Sequence, residues 1–211
     1  MNEERLSIFD KDYNRLGERP RSEVHEKGYW HETFHCWLAH HDENSGEDYI
    51  YFQLRSERKK DYPGLLDITA AGHILSHELM EDGVREIQEE LGLDICINEL
   101  IFTGVIKEEL NGGGFTDREL ANVFLFTKPV AFEHFSLQVE ECSGIFRTSL
   151  RDFEHLFFQE KAEIESEGFI VNEDSNKVYI SRNISINDFV DHPLSYFHEI
   201  IKIVKRQLLE K

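Results

Sequence analysis

The sequence predicts an α/β (α+β) domain built on a mixed sheet. Three observations lead there. Segments with strand periodicity are interleaved with segments of helical periodicity, the pattern of packed sheet and helix layers. Hydrophobic residues make up 40% and aromatics 12% of 211 residues, enough to bury a real core. No internal repeat and no long low-complexity linker divides the chain, and the length suits one elaborated domain. We divide it into an N-terminal hairpin extension (1–30), a core (31–160) and a C-terminal hairpin and helix (161–211).

The elements follow in order. "RLSIFDKDYNRLGERP" reads as strand, turn, strand, with "DKDYN" supplying the turn chemistry. "ETFHCWLAHHDENSGEDYIYFQLRS" reads as two longer strands joined by a polar loop, because aromatic and β-branched residues alternate with polar ones. "SERKKDYPGLLDITAAG" is a basic loop entering a short strand, "LDITA". A helix follows over about 78–91. "INELIFTGVIKEEL" and "ELANVFLFTKPV" are strands split by "NGGGFTDR", whose glycines lack the lysine and helix start of a phosphate loop. We read that loop as a flexible hairpin tip that closes over a ligand. "SLRDFEHLFFQEKAEIESE" is expected as a second helix, "GFIVNEDSNKVYIS" as a hairpin, and "HPLSYFHEIIKIVKRQLLEK" as an amphipathic helix with Phe197, Ile200, Ile201, Val204 and Leu208 on its apolar face.

The formal net charge of −19 argues against a nucleic-acid polymer as partner. An anionic small molecule remains compatible where a divalent cation or a few Lys/Arg bridge the charge. The three cysteines, Cys36, Cys96 and Cys142, are odd in number and lack C-x-x-C spacing, as expected of reduced core thiols. The N-terminus is charged from the start, and no run approaches the ~20 apolar residues of a membrane span. The expectation is a soluble cytoplasmic protein without a membrane partner.

The segment 78–91 carries the chemistry. Met80, Val84, Ile87 and Leu91 are spaced four, three and four, so they form one stripe. Glu86, Glu89 and Glu90 cluster within one turn and point roughly away from that stripe; Glu86 and Glu90 are ~40° apart. Gly92 follows as a C-cap. Like charges at this spacing repel. One reading is a solvated acidic face; the other is a site for Mg²⁺, a hard cation held by a few carboxylates plus substrate phosphates.

This stretch resembles the Nudix box, G-x5-E-x7-R-E-U-x-E-E-x-G-U with U aliphatic. Arg85, Glu86, Ile87, Glu89, Glu90, Gly92 and Leu93 match its second half; Gly72 and Glu78 match the first. Six residues rather than seven separate Glu78 from Arg85, which leaves the role of Glu78 open. The resemblance implies a Nudix-type α/β/α sandwich with a mixed central sheet. It also implies that Glu86, Glu89, Glu90 and the carbonyl near Gly72 hold Mg²⁺ or Mn²⁺. Arg85 would orient Glu89. The activity implied is metal-activated attack of water on phosphorus in a small diphosphate, such as a nucleotide-like metabolite. A homodimer follows only by analogy.

"SEVHEKGYWHETFHCWL", "LDITAAGH" and "VEECSGIF" resemble the Nudix branch related to isopentenyl diphosphate isomerase. In the isomerase a cysteine lies two residues before a histidine; here Ala71 takes that place in "AAGH", and alanine carries no proton. The isomerase also lacks the intact box helix. Both facts point to hydrolysis, with an isomerase and a non-catalytic sensor as the competing readings. By the same resemblance His25, His31 and His73 match a histidine metal site, and Glu119 an acidic position beside it, as base or ligand. His73 is also assigned to substrate binding. Glu141, in "LQVEECSGIF", is the candidate base on a later loop, with Glu140 beside it. Arg55 and Lys60, with Arg58 and Lys59, are the candidate phosphate contacts; Arg55 leads because its planar fork suits phosphate. Tyr29, Trp30 and Phe115 are candidates to stack on a base or to cover an isoprenoid.

Overall fold

The computed structural model describes residues 3–112 and 115–209, and of 111, 112 and 115 the backbone alone. The N-terminal hairpin is present as β1 (Arg5–Phe9) and β2 (Arg15–Pro20). A short helix not expected from periodicity follows, α1 (Arg21–Lys27). Its one sequence signal was local: Pro20 immediately before it and Gly28 immediately after it. Then come β3 (Trp30–Asp42) and β4 (Glu47–Arg55), as expected. "LDITA" is split into β5 (Leu66–Asp67) and β6 (Ala70–His73), which pair with different strands.

The expected helix over 78–91 is shorter. Met80–Val84 form a 3-10 turn, and the α-helix proper is α2 (Arg85–Leu91). Gly83 lies so close to β3 that a Cβ there would sit 2.7 Å from Cβ of Phe34, which holds the chain tight against the sheet. Gly92 ends α2 with φ of 68°, the left-handed C-cap expected. Next come β7 (Ile101–Gly112), β8 (Phe115–Phe126) and β9 (Cys142–Ser149). Positions 113 and 114 of the "NGGGF" tip lie outside the described residues.

The second expected helix needs correction. It ends early as α3 (Leu150–Phe157), capped by Ser149, whose hydroxyl accepts from Asp152 N–H at 3.0 Å. Residues 158–163 form an irregular connection, and the last four residues expected in the helix, 164–167, open strand β10 (Ile164–Val171), in which Ile164 and Ser166 are buried while Glu165 and Glu167 are exposed. That is a period of two, which a glutamate-rich segment disguised as helix surface. β11 (Lys177–Ile184) completes the hairpin, and α4 (Leu194–Leu209) buries all five residues assigned to its apolar face.

The sheet is mixed. The strand order is β11-β10-β9-β4-β3-β1-β2, with β6 and the β7–β8 hairpin also attached to β3. Antiparallel ladders dominate; β3 and β8 run parallel, from Trp30 beside Arg118 to Leu38 beside Phe126. Side chains of β3 alternate between two cores. Trp37 and Ala39 join α3 and α4 on one face; Phe34, Cys36 and Leu38 join Ile87 and Leu91 of α2 on the other. Helices therefore cover both faces, the expected α/β/α arrangement. Among the described residues no helix is long and apolar enough to cross a membrane.

Phe153 is fully buried among Trp37, Phe52, Phe157, Phe189 and Phe197. Phe153→Ala is expected to cost about 3–5 kcal/mol in urea denaturation. Leu79→Ala, at a position 70% exposed, is expected to stay within about 0.5 kcal/mol.

Candidate active site

The site grows from the middle of β3. His31, Thr33 and His35 are two apart and share a face. β6 lies antiparallel on one edge, with His73 opposite Thr33 and Gly72 opposite Phe34. β8 lies parallel on the other edge, with Glu119 beside His31. β7 then sets Glu108 opposite Glu119. These strands floor a cavity of about 840 Å³, walled by α1, α2, the basic loop after β4 and the loop before α4.

At one end stand the box glutamates. Gly72 allows α2 to lie against β6: a Cβ there would come within 2.1 Å of a Glu86 carboxylate oxygen. The expectation that all three carboxylates point away from the apolar stripe holds only for Glu89, which is 54% exposed. Glu90 is 4% exposed and accepts from Gln53 Nε2 at 3.1 Å and Ala71 N–H at 3.3 Å. Burial pushes Glu90 up to about 8, helped by the Glu86 charge, and pushes Glu86 up to about 7 against the pull of Arg85. Packing α2 edge-on to β6 tucks Glu86 and Glu90 beneath it.

Arg85 uses all five of its N–H donors here. Nε and Nη2 donate to Glu78 at 2.7 and 3.1 Å, Nη2 also to the His73 carbonyl at 3.0 Å, and Nη1 to Glu89 at 3.2 Å and to Glu86. Glu78 thus meets Arg85 despite the shortened spacing, across the 3-10 turn at Met80–Val84. Burial would raise Glu78, but the Arg85 bond holds it below the usual carboxylate range. A hard divalent cation fits this donor set: three clustered carboxylates around a glycine cradle, of which Glu90 is buried with, among the described residues, amide donors alone, Gln53 and the Ala71 N–H, while Glu86 and Glu89 share Arg85.

At the other end stand His25, His31, His73 and a residue the sequence reading missed, Asp117; their ligand atoms lie within 4.8 Å of one another. His25 Nε2 is 3.1 Å from His73 Nε2, and His31 Nε2 is 3.4 Å from Asp117. His31 Nδ1–H donates to the Tyr29 carbonyl at 3.1 Å, so its Nε2 presents a lone pair to the cluster. That Nε2 and Asp117 Oδ1 are buried without a hydrogen-bond partner among the described residues. Burial, then neighbouring His31, pushes His25 down to about 4; burial keeps His31 and His73 low as well. Burial and the Glu119 charge push Asp117 up to about 8. Three neutral imidazoles suit a borderline cation such as Zn²⁺, and the under-neutralised carboxylate among them is also compatible with the harder Mn²⁺. The signal for Asp117 was its place two residues before Glu119 on one strand face.

The remaining candidates divide. Glu119 lines the cavity and meets His35 Nε2 at 3.0 Å and Thr33 Oγ1 at 3.2 Å; burial would raise it, but the His35 bond holds it low. Glu141 lines the cavity paired with Lys59, and Glu140 is paired with Arg58 at 2.9 Å. Lys60 lines the cavity. Arg55 does too, but three of its donors are spent on Asp67 (2.8 Å), Asp61 O (2.8 Å) and Tyr62 O (3.1 Å), so it braces the basic loop. Tyr29 packs on the small N-terminal core; the Phe115 side chain lies outside the described residues. Among the described residues no cysteine lines the cavity: Cys36 and Cys142 are buried elsewhere, and Cys96 is exposed.

The glycine-backed glutamate helix under a mixed, helix-covered sheet defines the class of scaffold, and comparisons with known proteins agree. No family model matches the sequence. An uncharacterized Nudix hydrolase of Clostridium acetobutylicum is 39% identical over 210 residues, covering 100% of this chain and 99% of the relative. Nudix hydrolase 3 of Arabidopsis thaliana is 34% identical over 151 residues, 69% of this chain but 19% of that protein. An isopentenyl-diphosphate Δ-isomerase of Mycolicibacterium vanbaalenii is 26% identical over 123 residues, 57% of this chain and 65% of the relative. A crystal structure of DR0079 from Deinococcus radiodurans shares the fold, with TM-score 0.52 at 18% identity over 74% of this chain and 88% of that one. The chain belongs to the Nudix hydrolase family.

The buried carboxylates have a consequence for stability. A carboxylate raised in the fold contributes stability that is present below its unfolded value of about 4.3 and is lost as pH rises through its folded one. In metal-free protein, Glu90→Gln is expected to melt higher than wild type at about pH 9, a gain that fades towards pH 4. Mg²⁺ is expected to raise the wild-type midpoint at high pH and to raise that of Glu90→Gln less.

Proposed function

We propose that the protein is a Mg²⁺- or Mn²⁺-dependent hydrolase that cleaves the diphosphate linkage of a small, nucleotide-like metabolite. The observation that carries this reading is the grouping of Glu86, Glu89 and Glu90 around Gly72 at one end of a cavity of about 840 Å³. Such a volume lies in the range for metabolite sites. Glu86, Glu90 and the carbonyl near Gly72 would hold the cation, which when bound neutralises a diphosphate and lowers the pKa of water. Glu89, exposed and steadied by Arg85 at 3.2 Å, is placed to orient the attacking water and to take its proton. Glu141 is the alternative base from the later loop. Lys60 and Arg55 face the same space and supply positive charge to phosphate oxygens. The histidine group with Asp117, and Glu119 beside it, would hold a second cation.

Glu89→Gln is expected to lower turnover on the order of 10²–10⁴-fold, in a phosphate-release screen over diphosphate compounds with Mg²⁺ and Mn²⁺, while the melting temperature stays near that of wild type. Unchanged turnover removes the role given to Glu89.

The histidine group also favours a second reading, an isomerase that converts isopentenyl diphosphate to its allylic isomer. Against it stand Ala71, whose N–H is bonded to Glu90, and a cavity lining without a thiol among the described residues. Incubation with isopentenyl diphosphate is expected to give no allylic isomer by NMR; its appearance would reverse the choice.

A further inference from the structure

The loop before α4 and the first turn of that helix send two polar side chains back into the catalytic face, and the site as described so far does not use them. Tyr196 OH accepts from Trp37 Nε1–H at 3.1 Å and lies 2.9 Å from His35 Nδ1. An ionised carboxylate only accepts, so His35 Nε2 carries the proton shared with Glu119, and a neutral ring then offers a bare Nδ1 that takes the Tyr196 hydroxyl proton. His35 is then held in the tautomer whose Nε2–H donates to Glu119 at 3.0 Å. One turn earlier, His192 places Nδ1 2.8 Å from Glu108 and Nε2 3.0 Å from Asp67. Both ring nitrogens face carboxylates, so both donate, and the ring is a cation. Asp67 in turn receives Arg55 at 2.8 Å.

We propose that Tyr196 and His192 are positioning residues of the active site, Tyr196 setting Glu119 through His35 and His192 setting Arg55 through Asp67. This rests on the roles given above to Glu119 and Arg55. Docking of α4 does not require these groups, because Phe197, Ile200, Ile201, Val204 and Leu208 already bury its apolar face. A buried chain of alternating charges is a poor source of stability compared with packed apolar side chains. It is a good way to fix the direction of the groups at its ends, and both of its ends line the cavity.

The test uses the full-length chain. In metal-free protein labelled with ¹⁵N-histidine, His35 is expected to be protonated at Nε2 and bare at Nδ1, and His192 protonated at both nitrogens. Tyr196→Phe, which keeps the ring and removes the hydroxyl, is expected to lose the single His35 tautomer. On the diphosphate cleaved fastest by wild type, Tyr196→Phe and His192→Asn are expected to lower kcat by about 10- to 100-fold, the range for outer partners of a site, with KM for Tyr196→Phe within about twofold. Leu208→Ala, on the same helix but outside the network, is expected to lower the melting temperature without lowering kcat. An unchanged His35 spectrum in Tyr196→Phe, or kcat falling in Leu208→Ala in step with stability, overturns the proposal. A wild-type enzyme inactive on every diphosphate would instead sink the hydrolase reading, and the histidine spectra would still decide the positioning chain.

Discussion

The constraint on which this structure turns is the placing of two carboxylates, Glu86 and Glu90, in the seam between a helix and a strand. Buried anions are expensive unless paired. Gly72 lets the helix come close, Arg85 pairs with Glu86, and among the described residues Gln53 and the Ala71 amide donate to Glu90 from the sheet side. Nothing in the packing of the apolar stripe asks for this: Ile87 and Leu91 are buried without help from the acids. Under the proposed hydrolase reading, an entering cation would satisfy an arrangement that burial alone disfavours. That separates a site from a solvated acidic face, which the helical period alone could not do.

Residues 72 and 73 join the two ends of the cavity. Gly72 backs Glu86, the His73 ring belongs to the histidine group, and the His73 carbonyl is held by Arg85. A shift of β6 would therefore disturb both groups together. Because β6 has only four residues, its position is set by its ladder to β3 and by Arg85 rather than by its own length. The guanidinium with five acceptors acts as a rivet between strand and helix.

Much of this was legible locally and some of it was not. The glutamate helix, its glycine cap, the hairpins and the apolar face of α4 follow from spacing within a single segment, and the structure contains them. The histidines were found only as resemblance, since His25, His31 and His73 lie on three elements that meet through sheet pairing. Asp117, His192 and Tyr196 escaped because their partners are remote in sequence: His35 and Tyr196 are separated by 161 residues, His192 and Asp67 by 125. Arg55 was correctly placed at the cavity but not seen to be occupied, because its acceptors include two backbone carbonyls that carry no residue signature. The overlong second helix was misjudged because alternating acids satisfy a helix surface and a strand edge equally well.

The parallel ladder between β3 and β8 governs how the molecule comes together. His35 and Glu119 sit side by side yet are 84 residues apart along the chain, so that contact closes only after the box helix and the β7–β8 hairpin between them have found their places. Closing a loop of that length costs entropy that local turns do not repay. The geometry around Glu119 therefore depends on pairing between distant segments and is a property of the whole domain rather than of the glutamate helix.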